Sequence, residues 1–510
     1  MSKSKTILKS TTAVITVMLA SKLLGFLRQT LMANIYGSND LTDIYFISSE
    51  FMINVVGAFT TALTTALVTV YISIAVKNGK KAAGEVVSKV LVLFLVAATA
   101  AILILDSFAP QVGRLLAPAY DTEQLNLLAR YLRIFSAAFI FSAFQSIYAA
   151  VLNANDIFVP GKLYGLIYNP LVIAFILLLN GKLGIDSVIC AYYIANIIQI
   201  IFLHLRCRGI YSFRPTLNLR DERLVQVGRL ALPILLSNVV IQLNGIIDKA
   251  LCSYLGEGVA SAYTYAYTLE QFVTGTFTAT ITMVLLSQFA NLVAEKDFEK
   301  INAMLTRAVS AMILTLTPVA VITVLSARDI VTLIYMRGKF TMEAVDQTTM
   351  ALIGFAVGFP IIALREVMIR IHFAFQKTQL PVAISILSVL LNAVASILLS
   401  QYIGILGITI ATSVSAVASV VLLVITSRRY VPDFHFFSCW KAMLKCAVAL
   451  LFGAAAVLLA GWLFPDHLLL RIIFRLSMGC IVYAAALYAL RCQELLELLG
   501  AIRARLRPTR

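Results

Sequence analysis

The sequence predicts an all-α membrane protein with about fourteen transmembrane helices, and three observations support this. Of the 510 residues, 60% are hydrophobic and only 13% are charged, whereas a soluble domain has about 25% charged residues. Apolar runs recur from Thr11 to Leu490 with short polar breaks, and about 20 apolar residues cross a bilayer as a helix. The runs are too long and too continuously apolar for barrel strands, and open sheets cannot face lipid.

The predicted spans follow these apolar runs in chain order. Three lysines (Lys3, Lys5, Lys9) precede the first run, as in a signal peptide, but the run contains Lys22 and Arg28 and exceeds signal-peptide length. It is therefore predicted to be the first span. Four of the spans, the second, fourth, eighth and tenth, are long enough to tilt or to project into water. The predicted ranges are 10–36, 43–76, 84–108, 124–154, 158–180, 185–205, 225–254, 257–294, 302–326, 343–375, 380–400, 404–427, 440–463 and 468–491.

The net charge of +16 is explained by basic loops, so no nucleic-acid partner is expected. Cytoplasmic loops of membrane proteins are enriched in Lys and Arg, and the alternate loops of this chain differ in that way. Both termini are therefore predicted to be cytoplasmic, as an even number of spans requires. The predicted cytoplasmic bases are Lys77, Lys80, Lys81, Arg206, Arg208, Arg214, Arg220, Arg223, Arg428, Arg429, Lys441, Arg503, Arg505, Arg507 and Arg510.

An internal repeat with an offset of about 220 residues is visible. Gly37 closes the first span as Gly256 closes the seventh, and Pro160 opens the fifth as Pro381 opens the eleventh. Each half has six spans in the same direction, which predicts two lobes related by a pseudo-twofold axis along the membrane normal. The predicted domains are an N-terminal lobe (1–208), a cytoplasmic linker (209–224), a C-terminal lobe (225–430), and two final helices with a basic tail (431–510).

Two cations in the first span are the main candidates for substrate binding. Ionisable residues inside a span are costly and therefore functional candidates. Lys22 lies near mid-bilayer, while Arg28 is closer to the far end, where it could also reach the interface by snorkelling. The two predicted lobes are expected to enclose a central cavity. Cations that line this cavity would bind anions, and phosphate is the expected class. Gly25 between them is a candidate hinge, or a point of close approach for another backbone.

Three carboxylates inside or at the ends of spans are candidates for gating or coupling. Asp43 opens the second span and is either a helix-start carboxylate or a partner that holds and releases Arg28. Asp248 in the seventh span either faces the cavity or belongs to a structural pair. Glu366 in the tenth span can pair with Arg370, four residues later on the same helix.

The remaining chemistry-bearing residues predict a transporter with no cofactor and no catalytic site. The four histidines are scattered, the seven cysteines have no metal-site or disulfide spacing, and there is no P-loop for ATP. Coupling to an ion gradient or to the membrane potential remains open at this point.

Five short segments resemble the MurJ (MviN) family, and the resemblance covers nearly the whole chain. They lie in the first two spans, in the loop before span ten and at the entry to span eleven. The segments are 21–28 (SKLLGFLR), 34–37 (NIYG), 42–46 (TDIYF), 334–341 (IYMRGKFT) and 376–382 (QKTQLPV).

This resemblance implies a member of the multidrug/oligosaccharidyl-lipid/polysaccharide exporter superfamily with fourteen helices. It implies a flippase that moves lipid II, the undecaprenyl-pyrophosphate-linked precursor of peptidoglycan, to the outer leaflet of the cell membrane by alternating access for cell wall synthesis. The two final helices would hold the lipid tail, and Lys22 and Arg28 would bind the pyrophosphate. We expect a monomer.

The chain departs from the family pattern at several cavity positions, which leaves the head group open. Lys22 stands where the family typically has Arg, Gln29 where it often has Asp, and Thr268 where span eight has a cavity Arg; residues 54–57 carry no charge. Three alternatives follow: a flippase for another undecaprenyl-linked oligosaccharide, a drug/cation antiporter of the MATE type, and a nontransporting scaffold. The basic pair in span one argues against a cation substrate.

Overall fold

The computed structural model describes residues 2–211, 213, 221–431, 434, 440–464, 467–492 and 496, without the side chains of 2–12, 15, 277–284 and 287. Half of the predicted linker (212 and 214–220) and the basic part of the C-terminal tail (503–510) lie outside these residues. The described chain is helical and contains no strand. Its helices are α1 Ser2–Tyr36, α2 Asp40–Leu116, α3 Thr122–Ser136, α4 Ala138–Ala154, α5 Tyr164–Leu183, α6 Asp186–Cys207, α7 Glu222–Cys252, α8 Val259–Glu295, α9 Phe298–Tyr335, α10 Met342–Ala374, α11 Gln379–Ser427, α12 Trp440–Leu463 and α13 Leu468–Ala489.

Two of these helices each contain two predicted spans. The 77-residue α2 breaks at Gly79, where φ is 83° and ψ is 163°, and α11 breaks at Ile403 and Gly404. Conversely, α3 and α4 together form the predicted fourth span, interrupted at Ala137. With these adjustments the described helices correspond to the fourteen predicted spans. Within the described ranges, ten helical stretches are long and apolar enough to cross a membrane, so the chain is a multi-pass membrane protein and the fold-class prediction is confirmed.

Side-chain caps fix where several helices begin. Asn39 accepts a hydrogen bond from the Thr42 backbone N–H while the Thr42 hydroxyl side chain accepts one from the Asn39 N–H, a capping box that starts α2. Asp121 and Gln124 form the same arrangement at α3. Because the first N–H groups of a helix have no partner within it, such caps locate the helix start from local sequence.

The first compact unit comprises Met1–Ser261 together with Gly338–Phe340. Its core forms where both halves of α2 pack against α4, with Leu67, Val70, Val87 and Val151 buried. It includes the whole of α7, although the sequence places α7 in the C-terminal lobe; the lobe boundaries stay a prediction.

Asp221 fastens the start of α7 to the second half of α2. It accepts a hydrogen bond from Lys89 Nζ at 2.6 Å and pairs with Arg223 at 2.8 Å. The hydrogen bonds from Arg223 and Lys89 hold the pKa of the Asp221 carboxyl well below its usual range. Tyr211, just before the undescribed residues, shares a 2.9 Å hydrogen bond with Ser88. Both ends of the predicted linker therefore contact the same segment of α2.

The second compact unit comprises Ala262–Arg337 and Thr341–Arg510. Its core includes buried residues of α9, α10, α11, α12 and α13. The two final helices belong to this core: Tyr483 of α13 donates a hydrogen bond to the Leu314 carbonyl of α9 at 2.9 Å. They pack on α9 as well as on each other.

A charged triad joins α13 to α9 inside this unit. Asp329 accepts hydrogen bonds from Arg471 at 2.7 Å and from Arg475 at 2.5 Å. Arg475 also donates to the Leu325 carbonyl at 3.1 Å, and its guanidinium lies where a Cβ of Gly461 would be. Glycine at position 461 thus gives the guanidinium room between α12 and α9.

Replacing Asp329 with alanine is expected to destabilise the second unit strongly. Two largely buried guanidiniums would lose their carboxylate, and breaking a buried ion pair on one side costs about 3–5 kcal/mol. Thermal unfolding of the purified protein in detergent measures this effect. The matched control is Asp346→Ala, since Asp346 pairs with Arg328 at 2.9 Å on the surface, where a pair contributes at most about 1 kcal/mol. Equal melting temperatures for D329A and D346A would contradict the prediction.

Candidate functional site

One side of α1 packs closely on α5 because small residues face each other there. A Cβ at Gly165 would lie 2.8 Å from the Ser21 side chain, and a Cβ at Gly25 would lie 3.6 Å from Nδ2 of Asn169. Asn169 Nδ2 donates to the Ser21 carbonyl at 3.1 Å and to the Gly165 carbonyl at 2.8 Å. In this conformation α1 runs unbroken through Gly25. Close approach of α5 therefore accounts for Gly25 here, and bending at Gly25 stays a prediction.

Arg28 lies on the same side of α1, one turn further along. Its guanidinium carbon is 5.0 Å from the centroid of the Tyr168 ring, and Tyr164 stacks on Tyr168 at 5.5 Å. This is the geometry of a cation–π interaction. The side chain is half-buried, and its Nε has no hydrogen-bond partner among the described residues. The aromatic ring fixes the position of the charge without neutralising it, which leaves guanidinium N–H groups available for an anion.

Lys22 is not on the same side of α1 as Arg28. Six residues of an α-helix turn through about 600°, which leaves the two positions about 120° apart. The Lys22 side chain is half-buried and interacts with neighbouring groups of the protein. It shares its helical face with Gln29, which is 6% exposed and whose Oε1 has no hydrogen-bond partner in the described part of the chain. The two predicted cations thus occupy adjoining faces of one helix.

Asp43 binds the start of α8. Its carboxylate accepts hydrogen bonds from the backbone N–H of Gly258 at 2.9 Å, from that of Ser261 at 2.7 Å, and from the Ser261 hydroxyl. The side chain is 1% exposed. Within the described residues Asp43 forms no ion pair with Arg28, and the role of holding and releasing Arg28 stays a prediction. A carboxylate at this position is favoured by the positive end of the helix dipole.

Two of the family-like segments meet at the turn that follows α1. The Lys339 N–H donates to the Asn34 carbonyl at 2.9 Å. Gly338 (φ 58°) and Gly37 (φ 78°) adopt the left-handed conformation that favours glycine. A Cβ at Gly37 would lie 2.6 Å from the Lys339 carbonyl oxygen, and one at Gly338 would overlap Asn34. Segments far apart in the chain are therefore in backbone contact here, and both glycines are required for it.

The same end of the unit brings the repeat-related turns together. Ser38 donates a 2.6 Å hydrogen bond to the carbonyl of Gly258, a residue 220 positions later. The Ser261 hydroxyl lies 2.8 Å from the Thr42 hydroxyl. These separations of 220 and 219 residues agree with the repeat offset of about 220 read from the sequence. The turn after α1 therefore contacts its counterpart after α7.

A largely buried lysine and a partly exposed glutamate pair α7 with α2. Lys249 Nζ forms an ion pair with Glu50 and donates to the Phe46 carbonyl at 3.4 Å. The pair borders a small, partly open pocket that Asn54 and Gly245 also line. The neighbouring Asp248 is completely buried and has interactions of its own.

Glu366 lies between two arginines on α10. Arg370 is 3.4 Å from one carboxylate oxygen, as the four-residue spacing predicts, and Arg365 is 3.8 Å from the other. Among the described residues, no group of three or more His, Cys, Asp and Glu side chains could hold a metal ion.

The chain matches the family model described as lipid II flippase MurJ over residues 32–479. A "probable lipid II flippase MurJ" from Thermotoga maritima is 25% identical over 481 residues, which cover 94% of this chain and 96% of the relative. Another, from Rickettsia prowazekii, is 24% identical over 404 residues, covering 78% of this chain and 79% of the relative.

Solved structures show the same fold. One described as lipid II flippase MurJ in an inward closed conformation superposes with a TM-score of 0.82 at 22% identity, covering 93% of this chain and 97% of the other. A multidrug resistance MATE transporter of the MOP superfamily, inward-facing, superposes with a TM-score of 0.70 at 12% identity and covers 83% of this chain and 98% of the other.

Proposed function

We propose that this chain, which belongs to the MurJ family of lipid II flippases, moves lipid II from the inner to the outer leaflet of the cell membrane for peptidoglycan synthesis. The observation that carries the proposal is the family match over residues 32–479, from the end of α1 to α13. The family acts in transport, so the chain is a transporter and no catalytic residue is assigned.

Arg28 and Lys22 are proposed to bind the pyrophosphate of the substrate. A diphosphate cannot cross hydrocarbon without compensating charge, since a bare ion in a low-dielectric medium is strongly destabilised. Arg28 supplies N–H donors in a planar arrangement that fits phosphate oxygens, and the Tyr168 ring holds it in place. Lys22, on the adjoining face of α1, supplies a second charge.

Transport is proposed to proceed by alternating access, with the carboxylates Asp43, Asp248 and Glu366 as candidates for gating or coupling. The hydrogen bonds between Asp43 and the start of α8 form a closed contact that a change of conformation would have to break. The membrane potential contributes about 2.3 kcal/mol per elementary charge per 100 mV, and an ion gradient could act through the same carboxylates.

The protein is proposed to be a monomer in the cell membrane, with both termini in the cytoplasm. The distribution of basic residues among the loops supports this orientation. Its partners are the undecaprenyl-linked substrate and membrane lipids, without nucleic acid. A flippase for another undecaprenyl-linked oligosaccharide is the second candidate, because Thr268 and residues 54–57 lack cations that the family resemblance implies.

Complementation tests the proposed substrate. Expression of this chain is expected to restore growth of a strain depleted of its own lipid II flippase. A parallel strain that lacks a flippase for a different undecaprenyl-linked oligosaccharide should not be restored. Rescue of the second strain alone would assign the chain to the other substrate. Equal amounts of membrane-inserted protein, measured by immunoblot, are the control for both strains.

A further inference from the structure

The side of α10 opposite its core contacts carries three ionisable residues. Val367 and Met368 on the core side are completely buried. On the other side, the Arg365, Glu366 and Arg370 side chains are 27–30% exposed. Ionisable side chains within a membrane span border water or a polar ligand and avoid lipid. This face of α10 is therefore polar and accessible.

Arg365, Glu366 and Arg370 together carry a net positive charge, and the two guanidiniums have more N–H donors than Glu366 can accept. One carboxylate serves two guanidiniums, which leaves a net charge of +1. Both pairings are long, 3.8 Å for Arg365 and 3.4 Å for Arg370. The Nε atoms of both arginines are buried without a hydrogen-bond partner among the described residues. The arginines are therefore positioned but incompletely bonded.

The triad around Asp329 has the same composition, and its arginine Nε atoms likewise have no hydrogen-bond partner among the described residues. The two triads therefore differ in how closely the guanidiniums approach the carboxylate. Around Asp329, both arginines contact the carboxylate within 2.7 Å, whereas on α10 neither does. The difference points to a site in which another anion completes the bonding of Arg365 and Arg370.

The position along α10 indicates the kind of anion. All three residues lie in the last third of the helix, toward the end that the predicted orientation places at the cytoplasmic side. The phosphate group of an inner-leaflet lipid approaches a span from that side. Paired arginines bind phosphate oxygens through two N–H groups each.

We propose that Arg365 and Arg370 bind the lipid-linked diphosphate of the substrate at the inner-leaflet side, and that Glu366 pairs with the two guanidiniums until the diphosphate arrives. This subsite rests on the proposed function and adds a second cationic group to that of α1. The chemical class recognised is a polyprenyl diphosphate, and ordinary phospholipid phosphate is the competing source of the same chemistry.

Binding of undecaprenyl diphosphate, without sugar or peptide, to the purified full-length protein in detergent tests the subsite. Arg365→Gln and Arg370→Gln are each expected to weaken binding about tenfold, the effect of losing one charge-assisted hydrogen bond. The control is Arg328→Gln, which removes a surface cation of the same unit and should leave binding unchanged. Equal affinity of wild type, R365Q and R370Q would overturn the subsite.

Two further variants separate binding from folding. Arg365→Lys and Arg370→Lys keep the charge and are expected to bind a few-fold more weakly than wild type while melting at the same temperature. Glu366→Gln removes the competing anion and is expected to tighten binding; a purely structural triad would instead lose stability without tighter binding. Displacement of the diphosphate by equimolar phosphatidylglycerol would refute the assignment to a diphosphate.

Flipping of lipid II in proteoliposomes, measured in parallel, distinguishes this inference from the proposed function. Arginine-dependent diphosphate binding without lipid II flipping would retain the subsite and reject lipid II as the cargo. Lipid II flipping with binding that is insensitive to Arg365 and Arg370 would retain the function and reject the subsite.

Discussion

Replacing Arg28 with alanine is expected to abolish rescue of a flippase-depleted strain and to slow lipid II flipping in proteoliposomes by on the order of 100-fold. The reason is the loss of charge-assisted hydrogen bonds to the pyrophosphate, worth about 3 kcal/mol. Arg28 is half-buried within α1 and set against Tyr168, and alanine at this position supplies no donor. Both measurements are made at matched protein levels.

Three variants define what Arg28 contributes. Arg28→Lys keeps the charge but loses the planar donors and should retain partial activity. Tyr168→Phe keeps the ring under the guanidinium and should be close to wild type. Arg130→Ala is the matched control, because Arg130 is an exposed arginine 3.8 Å from Asp186 in the same unit. Normal flipping by R28A would reject the pyrophosphate role of this residue.

The helices were predictable because the bilayer imposes a minimum hydrophobic length, and each apolar run meets it. The local breaks were less predictable. The run after Lys77 was read as a loop, yet helix continues on both sides of Gly79 and only that residue leaves helical geometry. The predicted fourth span is interrupted at Ala137, where neither proline nor glycine marks the position.

The candidate site was predictable only where partners are neighbours on one helix. The Glu366–Arg370 pair follows from four-residue spacing, whereas the partner of Glu50 is Lys249 on another helix. A pair between two helices depends on how the helices pack, and the local pattern of a single sequence does not reveal that packing. Arg471 and Arg475 were not predicted as interacting residues. They lie four residues apart inside the last span, and the reasoning applied to other ionisable residues within spans would have identified them.

Replacing Asp43 with alanine is expected to lower the free energy of unfolding by about 3 kcal/mol and to abolish complementation. Two backbone N–H groups and one hydroxyl at the start of α8 lose their acceptor, and burial keeps water from replacing it. The effect on stability is read from thermal unfolding in detergent. Asp43→Asn keeps one acceptor oxygen and should fall between D43A and wild type.

Asp40 supplies the matched control, since it lies in the same first turn of α2 and is half-buried. Asp40→Ala should change the melting temperature little, because Thr42 and Asp43 make the hydrogen bonds between this turn and the start of α8. If Asp43 acts in gating as well as in capping, D43N should lose more activity than its melting temperature accounts for, while a stability-only role would make the two losses proportional. Wild-type stability in D43A would refute the capping role itself, because a carboxylate that holds three buried donors cannot be removed without cost.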